Sequence, residues 1–573
     1  MRQQTIGTFL IILCLIFSIA NNDESILNIQ RIKKTDNHNQ VEQYQVYQNN
    51  ETLSKTNKQP INSHLVQKQS RLQPVNSVKA SSNTTGFISK WDTSILSLTS
   101  SNTSQITLPL VSDGVYGFTV SWGDGNSNLI TKFNQSVVTH TYSAQGTYTV
   151  NITGTIIGWR FNESGDAVKL IQIANWGSLR LGNGGYYFSG ALNLVLTPTD
   201  ALDLNGTTDL AGMFANCNSL GSSGDLNSWN VSQVTNMSGM FLGASNFNQS
   251  IDSWNVSEVT DMSYMFDNVI YFNQPLESWD VSQVTNMSGM FLGASNFNQP
   301  IGSWDVSQVT DMSYMFDMAI YFNQPLESWN VSQLIDMERM FDGTTNFNQS
   351  LNSWNVSKVT DMSSMFYVAF IFNQPLDFWD VSKVTDMSFM FDNATNFNQP
   401  LNSWNVSKVT DMGCMFANTA SFNQSLNSWN VSQVTDMSGM FQEATNFNQL
   451  INSWDVSKVT GMNSMFDNAI SFNQPLDSWD VSKVTDMSGM FDNSISFNQP
   501  LDSWDDSKVI GMAEMFAGAT SFNQPLNSWD VSQVTDMNSM FDNASSFNQP
   551  LDSWDVSQIT DMSYMFDNAI YFN

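Results

Sequence analysis

At 573 residues, with 41% apolar and 12% aromatic residues, the chain has the means to build cores, which excludes a wholly disordered polymer. Asp and Glu outnumber Lys and Arg by 52 to 21, and the formal net charge of -31 excludes nucleic acid as an expected partner, because phosphate binding draws on clustered cations. Residues 1–20 read as a secretory signal: Arg2, an apolar run from Ile6 to Phe17, then Ser18-Ile19-Ala20 with the small residues a signal peptidase requires. The mature chain is expected to begin near Asn21 and to be secreted or displayed at the cell surface. An uncleaved anchor is the alternative, for which the run is short, and no later stretch is apolar and long enough to span a bilayer. Residues 21–85, rich in Asn, Gln, Ser and Lys, read as a disordered spacer; His38 and His64 fall in it without a metal-ligating neighbour.

From Gly86 the pattern changes to short alternating runs broken by Gly, Asn and Asp, which predicts a small all-β sandwich over residues 86–160. Val137 to Tyr142 and Thr147 to Ile152, with Gly146 between them, predict an antiparallel hairpin. Trp122-Gly123-Asp124-Gly125, His140-Thr141-Tyr142 and Gly146-Thr147-Tyr148 resemble the signature of PKD-like domains, which are extracellular immunoglobulin-like sandwiches. That resemblance implies that Asp124 shapes a turn and Tyr142 packs in the core. Asp124 with His140 is also a conceivable catalytic pair, but no nucleophile is marked beside it. Residues 161–225 read as an amino-terminal cap, since "TTDLAGMFANCNSL" (Thr207 to Leu220) is a degraded version of the later "VTDMNSMFDNASSF" (Val534 to Phe547).

Residues 226–573 are predicted to be fourteen repeats, the last incomplete. Tryptophan stands at 229, 254, 279, 304, 329, 354, 379, 404, 429, 454, 479, 504, 529 and 554, a period of 25 without a slip. Seven further columns are identical in every complete copy: Ser232, Met237, Met240, Phe241, Phe247, Asn248, Gln249 and their counterparts. This period predicts an α/β repeat solenoid, leucine-rich-repeat-like, with one short strand and one short helical turn per coil. Leu476 and Trp479 fall in the expected extended run. Met487, Met490 and Phe491 are spaced i, i+3, i+4 as on one face of a helical turn, with Thr485 and Asp486 placed to cap it. Stacked coils about 4.8 Å apart would let each Trp, Met and Phe pack on its own image, and would let a buried Asn-Gln pair form an internal ladder. Cys217 and Cys414, some eight coils apart, are too distant to form a disulfide.

The candidate sites follow from these columns. Asp261, Asp311, Asp361 and Asp386 belong to an acidic column that could in principle hold calcium, but Asn236, Asn286, Gly461 and Gly511 take the same place, which favours turn caps over metal ligands. No cofactor site is expected. Nor is an enzyme, because no His follows Ala201 and every carboxylate has its copies in coil after coil. Off-pattern residues, among them Arg339, Tyr367, Phe370 and Phe378, are the candidate ligand contacts, with drift between copies as the alternative. Asn230, Asn255, Asn330, Asn355, Asn405 and Asn430 open sequons at one corner of the coil and are expected to face solvent and carry glycans in a host that attaches them.

The stretch "LNSWNVSKVTDMSSMFYVAFIFNQPLDFWDVS" (Leu351 to Ser382), repeated with variations over residues 207–573, resembles the BspA-type leucine-rich-repeat surface proteins. The resemblance implies a secreted or surface-displayed protein that adheres to extracellular protein or glycan ligands or to other cells. A passive or calcium-loaded surface coat is the alternative. The chain stops at Asn573 in mid-coil, which reads as the end of a fragment.

Overall fold

The computed structural model describes residues 27–32, 43–48 and 86–573, so the signal segment over residues 1–20 lies outside it. Two compact units divide at Ala80. In the first, β1 (Leu27–Ile32) pairs antiparallel with β2 (Gln43–Gln48), Leu27 opposite Gln48. Of the spacer expected to be disordered, only these two strands fall within the described residues, and the rest of residues 21–85 lies outside them. Leu27, Ile29 and then Ile32 punctuate a polar run closely enough to approach the period of two that a strand favours.

The second unit opens with β3 (Phe87–Asp92), β4 (Gln105–Thr107), β5 (Val115–Ser121), β6 (Ser127–Ile130), β7 (Thr139–Thr141) and β8 (Thr147–Ile157), followed by β9 (Leu170–Asn175), β10 (Leu179–Arg180) and β11 (Val195–Leu196). One sheet runs β11-β9-β3-β8-β5-β6 with β10 beside β8, and β4 pairs with β7 as a separate ribbon. Alternation along β8 places Val150, Ile152 and Ile156 on the same buried core as Phe87, Trp91, Phe118 and Val120. The predicted hairpin does not form: β7 pairs with β4, while β8 is central to the other sheet. At the corner between them the Tyr142 and Tyr148 rings stack 3.7 Å apart, and Tyr142 is buried, its hydroxyl donating to the Trp122 carbonyl at 2.9 Å. The sheet also continues past residue 160, because β9, β10 and β11 extend it through the predicted cap.

Coil-on-coil bonding begins within that cap. Phe188 N–H donates to Met213, and Phe214 N–H to Met240. From there the pattern repeats in register. In the coil around Trp254, the N–H groups of Met262, Tyr264, Phe266 and Asn268 donate to the carbonyls of Asn286, Ser288, Met290 and Leu292 in the next coil, at 2.7 to 3.1 Å. The alternate residues bond within their own coil, as Met265 N–H does to the Met262 carbonyl. The expected strand and helical turn are both absent from the repeats: each coil is a chain of turns carrying one isolated parallel bridge, such as Asp261 to Asn286. The reason is local. Tyr264 and Asn268 take left-handed φ of 55° each, as do their counterparts, and one such residue ends a right-handed helix. Gly or Asn occupies eleven of the fourteen places in the Asn268 column, the residues that tolerate this conformation best.

The side chains inside form continuous columns. Every Trp from 229 to 529, both Met and both Phe of each coil up to Phe547 are buried. Successive Phe266-type rings lie 5.5 to 5.8 Å apart and successive Trp rings 6.3 to 6.5 Å apart, wider than the 4.8 Å expected of flat stacked strands. Spacing that widens away from the ladder means the coils fan, with tryptophans on the outer side. From Trp254 onward each Trp Nε1 donates to the Leu or Ile carbonyl one coil earlier, as Trp304 does to Leu276 at 3.0 Å, whereas Trp229 Nε1, at the start of the row, has no protein partner.

Candidate functional site

The array contains no catalytic constellation among its described residues; what it offers is rows of side chains. The acidic column is a row of caps. Asp261, Asp311, Asp361 and Asp386 each accept two bonds on Oδ1, from the N–H of the serine two residues on at 2.9 Å and from its Oγ at 2.7 Å. Asn236 and Asn286 accept the same pair. A neutral amide does the work of the carboxylate, so charge is not what the position requires. Among the described residues no group of three or more ligating side chains is arranged to hold a metal ion. Stacking has an electrostatic cost instead: burial and the neighbouring Asp361 and Asp311 raise the pKa of Asp336, and burial with Asp386 and Asp436 raises that of Asp411.

A second acidic row, following the Phe, turns inward. Burial pushes Asp392 up to about 7 against bonds from Asn418 and Asn393, and pushes Asp467 up to about 6. Asp492 reaches about 8 through burial and the charges of Asp467 and Glu514. The Asn-Gln pair forms the expected ladder. Asn248 Oδ1 accepts from Asn273 N–H at 3.1 Å and from Gln274 Nε2 at 2.9 Å, and the arrangement recurs down the chain. Most of these amides are half-buried rather than buried. The sequon corner is exposed at Asn230, Asn255, Asn330, Asn355, Asn405 and Asn430, each Oδ1 accepting the N–H of the serine two residues later.

The off-pattern residues separate into different columns. Arg339 lies over the Tyr314 ring at 5.7 Å and donates from Nε to Asp342 at 2.8 Å. Tyr367 and Phe370 belong to the coil that continues into Ile371, which is 38% exposed, and they flank Val368 at a left-handed φ of 57°. Phe378 stands apart from these, immediately before Trp379, in a column where serine hydroxyls such as Ser353 Oγ bond the previous coil; it is 77% exposed. Asp124 and His140 do meet, at 2.9 Å, with His140 stacked on Trp122. Asp124 also accepts from the N–H and side chain of Asn126, closing the β5–β6 turn, and these bonds hold its pKa near 2 despite partial burial. This is the turn-shaping role expected of it. Cys217 and Cys414 are both free thiols.

Two features escaped the sequence reading. One is Asp506, which replaces the valine of its column and is buried; its signal was a single off-pattern residue that reads as an exposed turn. The other is an alternation between coils, visible in "YMFDNVIYF" at Tyr264 and "YMFDMAIYF" at Tyr314 against "GMFLGASNF" between them.

Seven overlapping segments, residues 185–292, 208–323, 266–377, 300–402, 370–479, 421–523 and 470–573, match the family described as Mycoplasma protein of unknown function, DUF285. Together they cover the chain without a gap from residue 185 onward. The chain belongs to the DUF285 family. No curated protein matches it. In structural terms a DUF285 segment here spans about four coils, so its unit is a set of stacked 25-residue turns and not an independently closed domain.

Proposed function

We propose that the DUF285 array is the ligand-binding part of a secreted or cell-surface adhesion protein. It would be built as a leucine-rich-repeat-like solenoid of the BspA type and carried behind a PKD-like sandwich. The observation that carries this reading is where the copies differ. The Trp, Met and Phe columns stay constant and buried, whereas the exposed Tyr264, Phe389 and Phe378 stand where other coils have Gly or Ser. A scaffold that repeats its core while varying its surface is suited to holding a partner along its length. Binding rather than catalysis is the role it supports. His140 is the only described histidine, and its Asp124 partner is occupied in closing a turn.

The test is a binding screen of the full chain against extracellular-matrix proteins, polysaccharides and whole cells. Capture of one class, saturable and competed by soluble ligand, is the expected result. A chain that binds none of them would be a passive coat, and the adhesion reading would fall.

A further inference from the structure

Within the array, one stretch of surface repeats every second coil. Tyr271 and Tyr321 stand two coils apart, and Ile371 two coils further; Asn296 and Asn346 occupy the same place in the coils between. Tyr321 is 56% and Ile371 38% exposed, with Tyr271 half-buried. Each precedes a buried Phe of a column whose rings are spaced 6.0 Å from Phe272 to Phe297 and again from Phe297 to Phe322, so the exposed side chains recur at about 12 Å. Asn346 is held by its Nδ2 donating to the Ile320 carbonyl at 3.0 Å, which leaves its carboxamide oxygen for an outside donor. The same coils carry Tyr264, whose ring lies so close to the next coil that a Cβ on Gly289 would fall 2.4 Å from it.

Charge narrows the occupant. From Trp254 to Ile371 the only cations are Arg339 and Lys358, against thirteen Asp and Glu, so a polyanion would be repelled. A protein partner would be expected to meet a continuous apolar patch ringed by polar groups, and here the apolar side chains are separated by amides instead. Sugar rings have flat C–H faces that pack on aromatic rings, and hydroxyls that bond to amides. A linear polymer of them repeats both along its length.

We propose that this row, Tyr271-Asn296-Tyr321-Asn346-Ile371, binds a neutral linear polysaccharide lengthwise along the array. The proposal rests on the ligand-binding reading above and names its ligand class. The test is co-sedimentation and affinity measurement of the full chain with chitin, a linear β-glucan and mannan as neutral polymers, and dextran sulfate as a polyanion. At least one neutral polymer should bind, with little dependence on salt, and dextran sulfate should not. Replacing both Tyr271→Ala and Tyr321→Ala should weaken binding roughly tenfold with an unchanged melting curve, while Tyr271→Phe with Tyr321→Phe keeps most of it. Undiminished binding by the alanine pair overturns the row. So does capture of a protein ligand, or of dextran sulfate alone, with no neutral polymer bound, although that result leaves adhesion standing. Binding to nothing in either screen removes both readings.

Discussion

Asp506 places a carboxyl group where Val481 and Val531 stand in the flanking coils. It is 2% exposed; Oδ1 accepts the Asp530 N–H at 2.9 Å, and Oδ2 has no protein partner. Burial, added to by Asp530 and Asp505, pushes its pKa from 3.8 up to about 6. Because the folded value is raised, the protonated form is the one the fold accommodates. The cost is absent below about pH 4, grows as pH rises through about 6, and is complete above it. A rise from 3.8 to about 6 corresponds to about 3 kcal/mol. Asp506→Val should therefore stabilise the array by about 3 kcal/mol at pH 8 and by far less at pH 4. Asp506→Asn, which removes only the charge, should recover part of that gain at pH 8 and none at pH 4. Denaturant melts of the full chain across this pH range, with hydrogen exchange of the coils between Trp479 and Trp529, would measure it. Asp392, Asp467 and Asp492 titrate in the same range in every variant and cancel in the difference. A gain at pH 4 equal to that at pH 8, or no gain at either, would refute the assignment of a buried charge.

Other expectations follow from the same geometry. Lys169, fully buried, donates to the carbonyls of Ser101, Asn102 and Gln105 and pairs with Asp166 at 3.1 Å, so Lys169→Met should cost about 3–5 kcal/mol in a thermal melt of the sheet unit by stranding that carboxylate. Val368→Gly should gain about 1 kcal/mol, because a β-branched residue now occupies a left-handed φ of 57°. Calcium chelation should leave the melting temperature unchanged, whereas monovalent salt should raise it by screening the Asp columns; a steep fall on chelation would restore the calcium-loaded reading. Converting both Cys217 and Cys414 to Ser should alter stability by less than about 1 kcal/mol, since each is a free thiol.

Much of this fold was legible because the copies comment on one another. The 25-residue period, the buried Trp, Met and Phe columns, the Asn-Gln ladder and the Asp caps can all be read from which residues never change and which exchange with Asn or Gly. What misled was a spacing with two meanings. Met487, Met490 and Phe491 at i, i+3, i+4 suit a helical face, yet Gly489 at a φ of 63° breaks the helix and yields linked turns with the same three side chains inward. The Gly and Asn enrichment two places after each Phe carries that information. The β7–β8 hairpin failed for a different reason. Alternation marks a strand but does not name its partner, and the partners here, β4 for β7 and β3 with β5 for β8, are set by long-range pairing. The candidate surface was legible only in part, since Arg339, Tyr367, Phe370 and Phe378 stand out one by one, whereas Tyr271 and Tyr321 matter as a period of two coils.

The ladder's sameness from junction to junction bears on how such a gene can change. The junctions share one backbone pattern, with most N–H groups donating to the next coil and a Thr N–H such as Thr285 donating back to Thr260, so a coil duplicated or lost by recombination meets the same backbone partners. Array length is thereby almost free to drift without a new interface being invented. Phase is less free. A Cβ at Gly289 would fall 2.4 Å from the Tyr264 ring, so losing that one coil would set Tyr264 against Tyr314 and force its ring to move. Loss of the Gly289 coil should therefore be tolerated less readily than loss of the Tyr264 coil, which would bring Gly239 beside Gly289.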